Sequence, residues 1–246
     1  MTQLVRRDVD YRHAGTTMSG LLIAPAGASN LPAVVLIHDA FGLGGQMIAT
    51  AERLAAIGLA VFAADVWGGR RVPAGEDEVG ELLGSIRADR NDWLGRIAAA
   101  HDAARAQPEV DGAKLVNMGY CFGGSSALEH LRLHGDVIGT IAVHPGLDLL
   151  DFDWPERDAR VLVLAGASDP MASAEDRARL DTALTGVGVD WELDLYGATK
   201  HGFTSEGLRG APENPVVGFH ERNAARAWRR GIDFLTELFP QLDTLD

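Results

Sequence analysis

The chain has a single cysteine, Cys121, among 246 residues. No intrachain disulfide can form, so the fold needs no oxidising compartment. Positive charge is also scarce. Lys and Arg number 22 against 35 Asp and Glu, giving a formal net charge of −13. A general surface for nucleic acid or an anionic membrane needs clustered positive charge, so neither partner is expected. A local basic pocket for an anionic substrate stays compatible with this balance. No apolar run is long enough to span a bilayer, and the first eight residues lack the apolar core of a signal peptide. The expectation is a soluble, cytoplasmic protein. No Cys/His cluster has zinc spacing, so no metal is expected. His130 and His134 lie four apart with no third ligand nearby in sequence, and read as a helix-surface pair. No repeat, low-complexity segment or long linker appears. One domain over residues 1–246 is expected, monomeric by default.

What is present is an alternation of short apolar runs with amphipathic stretches. Residues 4–11 and 18–24 alternate as an antiparallel strand pair at a sheet edge. Apolar strands follow at 33–38, 59–64, 115–118, 137–143, 161–165 and 191–195. Helices are expected at 47–57, 81–88, 91–106, 123–133, 172–184 and 216–238. The stretch from Trp67 to Gly80 is rich in Gly, Arg, Pro and acids, and opens a helical excursion at about 67–95. Continuous apolar strands between helices imply a mostly parallel sheet covered on both faces, an α/β fold. Chemistry in such sheets sits beyond the C-terminal ends of strands. Those ends carry His38, Asp39, Asp65, Cys121, His144, Asp169 and His201.

The cysteine stands in Gly119-Tyr120-Cys121-Phe122-Gly123-Gly124, between an apolar strand and a helix. Gly-x-Cys-x-Gly is the nucleophile-elbow frame of α/β-hydrolases with a thiol at its apex. The helix N-terminus that follows favours an anion at the same spot. A thiolate nucleophile needs a base, and the base needs a carboxylate to orient it. His201, in the loop after the last strand, is the expected base. Asp169, in the loop after the preceding strand, is the expected acid. His144 competes with His201 or lines the pocket instead. The backbone N–H groups of Phe122 and Ala40 are the expected oxyanion donors. Phe41, Trp67, Trp93, Tyr120 and Phe203 are candidates for an apolar substrate pocket. Arg70, Arg71 and Arg87 are candidates for positive charge in it.

At these residues the chain resembles the dienelactone hydrolase family of α/β-hydrolases. The resemblance covers nearly the whole chain. It rests on the elbow, on His38-Asp39-Ala40-Phe41-Gly42, on Ala64-Asp65-Val66, on Gln107-Pro108-Glu109-Val110-Asp111, and on Asp169 and His201-Gly202-Phe203. It implies a Cys121–His201–Asp169 triad that hydrolyses lactone or ester bonds without a cofactor. Two departures stand out. Asp39 occupies the position of a family glutamate that contacts the resting thiol. Ser205 stands four residues after His201, where the family places an arginine that holds the substrate carboxylate, and the nearest arginine is Arg209.

The expected reaction is thiolate attack on an activated lactone or ester, an acyl-thioester, and its hydrolysis through His201. The partner is then a small lactone or ester. A general carboxylesterase with another natural substrate is the alternative within enzymes. A thiol redox protein lacks a resolving cysteine here, and a binding module would leave the acid–histidine pair without a purpose.

Overall fold

The computed structural model describes residues 3–242; Met1 and Thr2 of the N-terminal segment read above, and residues 243–246, lie outside it. Eight strands follow in chain order: β1 (Leu4–His13), β2 (Thr16–Pro25), β3 (Leu31–Ile37), β4 (Ala60–Ala64), β5 (Val110–Tyr120), β6 (Gly139–Val143), β7 (Arg160–Gly166) and β8 (Asp190–Tyr196). They form one sheet in the order β1-β2-β4-β3-β5-β6-β7-β8. The helices are α1 (Gly45–Ala56), α2 (Glu76–Ala88), α3 (Arg90–Arg105), α4 (Phe122–His134), α5 (Ala174–Gly186) and α6 (Glu221–Leu238). β1 pairs antiparallel with β2, and β2 with β4, whereas β3–β4, β6–β7 and β7–β8 are parallel. This is the mostly parallel α/β architecture expected, with its antiparallel pair at one edge.

The chain divides into two compact units, one reaching Asn117 and including Leu242, the other running Met118–Gln241. In the first, β4 reads Ala-Val-Phe-Ala-Ala and every residue is buried, the mark of a parallel strand covered on both faces. α1 buries Met47, Thr50, Ala51, Leu54 and Ala55, one stripe at helical spacing. β1 and β2 turn through Ala14 and Gly15, both at positive φ (44° and 84°), the type I′ geometry that matches strand twist. The exposed β1 edge carries Arg6, Arg7, Asp8 and Arg12, and such charges discourage pairing with a foreign strand. Asp65, just after β4, accepts from the backbone N–H groups of Ser19, Gly68 and Arg70, so one buried carboxylate anchors the start of the excursion.

In the second unit α4 is buried from Phe122 to Arg132. Its charged pair is internal. Arg132 donates to both oxygens of Glu129 (2.9–3.2 Å), and Glu129 also accepts the N–H of Asp151 (2.9 Å). Arg157 donates to the carbonyls of Leu131, Arg132 and Leu133 at the helix end, where the Leu131 carbonyl also accepts the Gly135 N–H (3.0 Å). α6 buries Asn223, Ala227, Gly231, Phe234 and Leu235 along one face.

Three elements start about five residues away from the reading of the sequence. α2 starts at Glu76 rather than at 81, with Glu76, Asp77 and Glu78 in its first turn, where the helix dipole favours acids. β5 starts at Val110 rather than at 115. α6 starts at Glu221 rather than at 216. Val217, two residues after Pro215, forms an isolated parallel bridge with His201 instead.

The Glu129 side chain is 0% exposed and the Arg132 side chain 10%. Glu129→Leu leaves a largely buried guanidinium short of its main partner. The expected loss is on the order of 3 kcal/mol, since breaking a buried pair strands a charge. Chemical denaturation of the purified variant measures it.

Candidate active site

The site is built at the end of β5. A Cβ on Gly119 would overlap the carbonyl of Gly123, so only glycine lets the strand reverse into α4 this closely. Cys121 sits at the reversal with φ 53° and ψ −119°, backbone values that are costly for a residue with a side chain. Its N–H donates to the Val143 carbonyl at the end of β6 (2.9 Å), and its carbonyl accepts from Gly124 N–H (2.9 Å) as α4 begins. The Ser125 hydroxyl donates to the Gly146 carbonyl (2.8 Å), tying the helix to the loop after β6. The cysteine backbone is thereby fixed from both sides, and its free thiol keeps partial exposure.

Two loops deliver the partners. After β7, Asp169 is buried, and its carboxylate accepts the N–H of Met171 (2.8 Å). After β8, the loop carrying His201 packs back on β7. A Cβ on Gly166 would collide with the Thr199 carbonyl, and that same carbonyl accepts from Ser168 N–H (2.9 Å). Asn223, buried at the start of α6, donates to the Thr199 hydroxyl (2.7 Å). His201 N–H donates to the Val216 carbonyl (3.0 Å), and Gly218 N–H donates to the His201 carbonyl (3.1 Å).

The side chains then line up. His201 Nδ1 lies 2.8 Å from Asp169 Oδ2, and His201 Nε2 lies 3.0 Å from Cys121 Sγ. Burial disfavours charge on His201, but the negative sulfur of Cys121 and the Asp169 carboxylate outweigh it and push its pKa up to about 10. With the ring protonated, Nδ1–H donates to the carboxylate and Nε2–H to the sulfur. A histidine held between a carboxylate and a sulfur in this way can exchange protons at Nε2.

His144 lies beside this line, not in it. Its ring meets those of His201 (5.2 Å), Phe203 (5.4 Å) and Tyr120 (5.9 Å) edge to face, and its Nε2 is 2.9 Å from the Thr204 hydroxyl. Burial, and then the charge of His201, hold its pKa well below the usual histidine range. Phe203 is fully buried and also packs on Tyr196 (5.4 Å); Tyr120 is buried as well. His220 caps α6, accepting the Asn223 N–H at 3.4 Å.

The remaining candidates belong to the first unit. His38 is buried and neutral: burial lowers its pKa, its Nδ1–H donates to the Asp39 carbonyl (2.6 Å), and Val66 N–H donates to its Nε2 (3.0 Å). Asp39 accepts the Phe41 N–H (2.8 Å), and the Ala40 carbonyl accepts from Trp67 Nε1–H (3.1 Å). Trp67 is buried, whereas Phe41 is 52% exposed, unusual for a ring of that size. Arg70 donates to the carbonyls of Ser19 (3.0 Å) and Gly20 (2.8 Å) and to Asp8 (2.8 Å), so its guanidinium is turned onto β1 and β2. Arg71 is bound to Glu78 (2.6 Å). In the second unit, Arg209 is paired with Glu206 (2.8 Å) and Glu221 (3.2 Å). Reading the sequence did not single out Thr204, Asn223 or Val216, because each acts through the fold rather than through a local motif.

Among the described residues no three His, Cys, Asp or Glu side chains are grouped to hold a metal ion, and no helix is long and apolar enough to cross a membrane. His130, read from the sequence as half of a helix-surface pair, is buried; it stacks on His134 at 4.8 Å, with Asp136 3.6 Å away.

Known proteins place this geometry. The dienelactone hydrolase-like promiscuous phosphotriesterase P91, from metagenomic libraries, superposes with a TM-score of 0.87 at 32% identity, over 96% of this chain and 98% of its own. An uncharacterised protein of Caenorhabditis elegans is 30% identical over 165 residues, 63% of this chain and 99% of that protein. The dienelactone hydrolase of Anabaena variabilis shares the fold, with a TM-score of 0.66 at 20% identity over 95% of this chain and 98% of its own. The model of the dienelactone hydrolase family matches residues 18–239, so the chain, an ester and lactone hydrolase by that kinship, belongs to the dienelactone hydrolase family.

Proposed function

We propose that the protein hydrolyses lactones and esters through a Cys121 thiolate, with His201 as acid and base and Asp169 as its orienting carboxylate. The observation that carries this reading is the unbroken line Sγ–Nε2 at 3.0 Å and Nδ1–Oδ2 at 2.8 Å, with both Asp169 and His201 buried. The thiolate adds to the substrate carbonyl, forming a C–S bond and an oxyanion. The N–H group of Phe122 is a donor assigned to that oxyanion. The oxyanion collapses, the C–O bond breaks, and the leaving oxygen takes the proton from His201 Nε2. Now neutral, His201 removes a proton from water as the water adds to the thioester. The second collapse releases the carboxylic acid and returns the thiolate to its imidazolium partner.

A thiolate is itself a good leaving group. The first intermediate therefore goes forward best when the departing oxygen is an enolate or phenolate, and this supports enol lactones and aryl esters over amides. Arg70, Arg71 and Arg209 are each engaged with protein acceptors or acids, which supports neutral substrates over carboxylated ones. A general aryl-esterase role follows from the same point. The similarity to P91 adds phosphotriesters as a second substrate class, attacked at phosphorus with an aryloxide leaving.

Turnover of an aryl acetate is expected to fall to background in Cys121→Ala. An uncharged enol lactone is expected to match or exceed a carboxylated dienelactone in kcat/KM. A tenfold preference for the carboxylated substrate would refute the neutral-substrate assignment.

The pH behaviour is a separate check. His201 keeps its proton until the pH climbs through about 10, so the ring can serve as the cationic partner of Cys121 below that value and not above it. Alkylation of Cys121 by iodoacetamide is therefore expected to be nearly flat between pH 6.5 and 8.5. In His201→Ala the rate at pH 6.5 is expected to drop on the order of 100-fold, because an ordinary thiol with pKa about 8.5 is only ~1% ionised there. A rate that rises steeply with pH in the unmodified protein would exclude the ion pair.

A further inference from the structure

His144 is a polar residue in the core that the proposed chemistry does not use. It follows β6 directly, its N–H donates to the Leu164 carbonyl (2.8 Å), and its φ is +38°. That conformation is rare for a residue with a side chain, and it persists only where the surroundings over-determine it. Here they are four groups of the site. The ring packs edge to face against His201, Phe203 and Tyr120, and its Nε2 meets the Thr204 hydroxyl. The same strand end supplies the Val143 carbonyl that accepts the Cys121 N–H. Consecutive residues thus hold the nucleophile by its backbone and touch the histidine by a ring.

A plain packing role would be filled as well by phenylalanine or leucine. The histidine instead leaves Nδ1 buried without a hydrogen-bond partner, an arrangement a core seldom tolerates. The neutral tautomer resolves this. Nε2–H donates to Thr204, and Nδ1 keeps a bare lone pair, which suits the neighbourhood of the cationic His201 ring better than an N–H or a second charge. The neutral ring also presents a π-system to that cation, an attraction a second imidazolium would turn into repulsion.

We infer that His144 is a positioning residue for His201: its ring braces the His201 ring, and its Nε2–H, through Thr204, holds the segment that follows His201. It is not assigned a contact with substrate. This rests on the reading of Cys121 and His201 as an ion pair, and deepens it.

The test uses the full chain with His144→Phe, His144→Gln, Thr204→Val and the double variant His144→Phe/Thr204→Val. Two readouts are followed: aryl acetate hydrolysis and iodoacetamide alkylation of Cys121 at pH 6.5. His144→Phe keeps a ring and loses the hydrogen bond; His144→Gln can keep the hydrogen bond and loses the ring. Each single variant is expected to lower kcat and the alkylation rate together, by about three- to thirtyfold, with KM within twofold. Thr204→Val and His144→Phe should not add in the double variant, because they remove the same bond. A rise in KM with kcat and alkylation unchanged would make His144 a substrate contact and overturn the proposal. Unchanged kinetics in His144→Phe and His144→Gln would reduce it to packing. So would losses that track only a fall in melting temperature. Alkylation needs no ester, so the two readings fail separately. Slower alkylation in the variants of a protein that turns over no ester would sustain the positioning role and defeat the hydrolase mechanism.

Discussion

The contact between Gly119 and the carbonyl of Gly123 is the constraint from which the site follows. Two pieces of backbone share a space that admits no side chain, and this lets β5 reverse into α4 within one residue. The reversal places Cys121 at positive φ, starts a helix at the sulfur, and turns the Cys121 N–H onto Val143. Asp169 and His201 are arranged in line with a cysteine whose backbone is held on both sides. The burial of α4 over most of its length, and the Arg157 seal on its last carbonyls, keep the helix end from relaxing that turn.

Burying an acid, a base and a nucleophile together is unfavourable unless each charge is answered. The structure answers them in series. Asp169 is held by Met171 N–H and His201, and His201 is held by Asp169 and Cys121. The series has an open end at the partly exposed sulfur, the place where a substrate atom can complete it. The neutral state of His144 belongs to the same balance, since the field of His201 and the dry surroundings both oppose a second cation there.

The parts of the site legible in the sequence are those that a local pattern encodes. Glycine spacing around Cys121 reports a steric limit between near neighbours. Apolar strands report which loops lie at their C-terminal ends, and this narrows the acid to Asp169 and the base to His201. The parts that were not legible depend on distant pairs. Nothing near Arg70 in the sequence says that its guanidinium is taken up by Ser19, Gly20 and Asp8, so it reads as available charge until the hairpin is folded beside it. Thr204 and Asn223 are ordinary polar residues until partners far along the chain reach them. The helical reading of residues 216–220 fails for a related reason. Val216 and Gly218 bond through their backbones to His201, His220 bonds to Phe203, and the Val216 and Val217 N–H groups go to the Asn214 side chain, while Pro215 and Gly218 weaken the helical alternative.

The hold that residues 216–218 and Asn223 have on the His201 loop also sets an order in time. On the ribosome the elbow is made roughly a hundred residues before α6, at about 5–20 residues per second. Through that interval Cys121 has no folded His201 loop beside it. The geometry around the sulfur is complete only when the last helix docks, so the proposed reactivity comes with the last stage of folding.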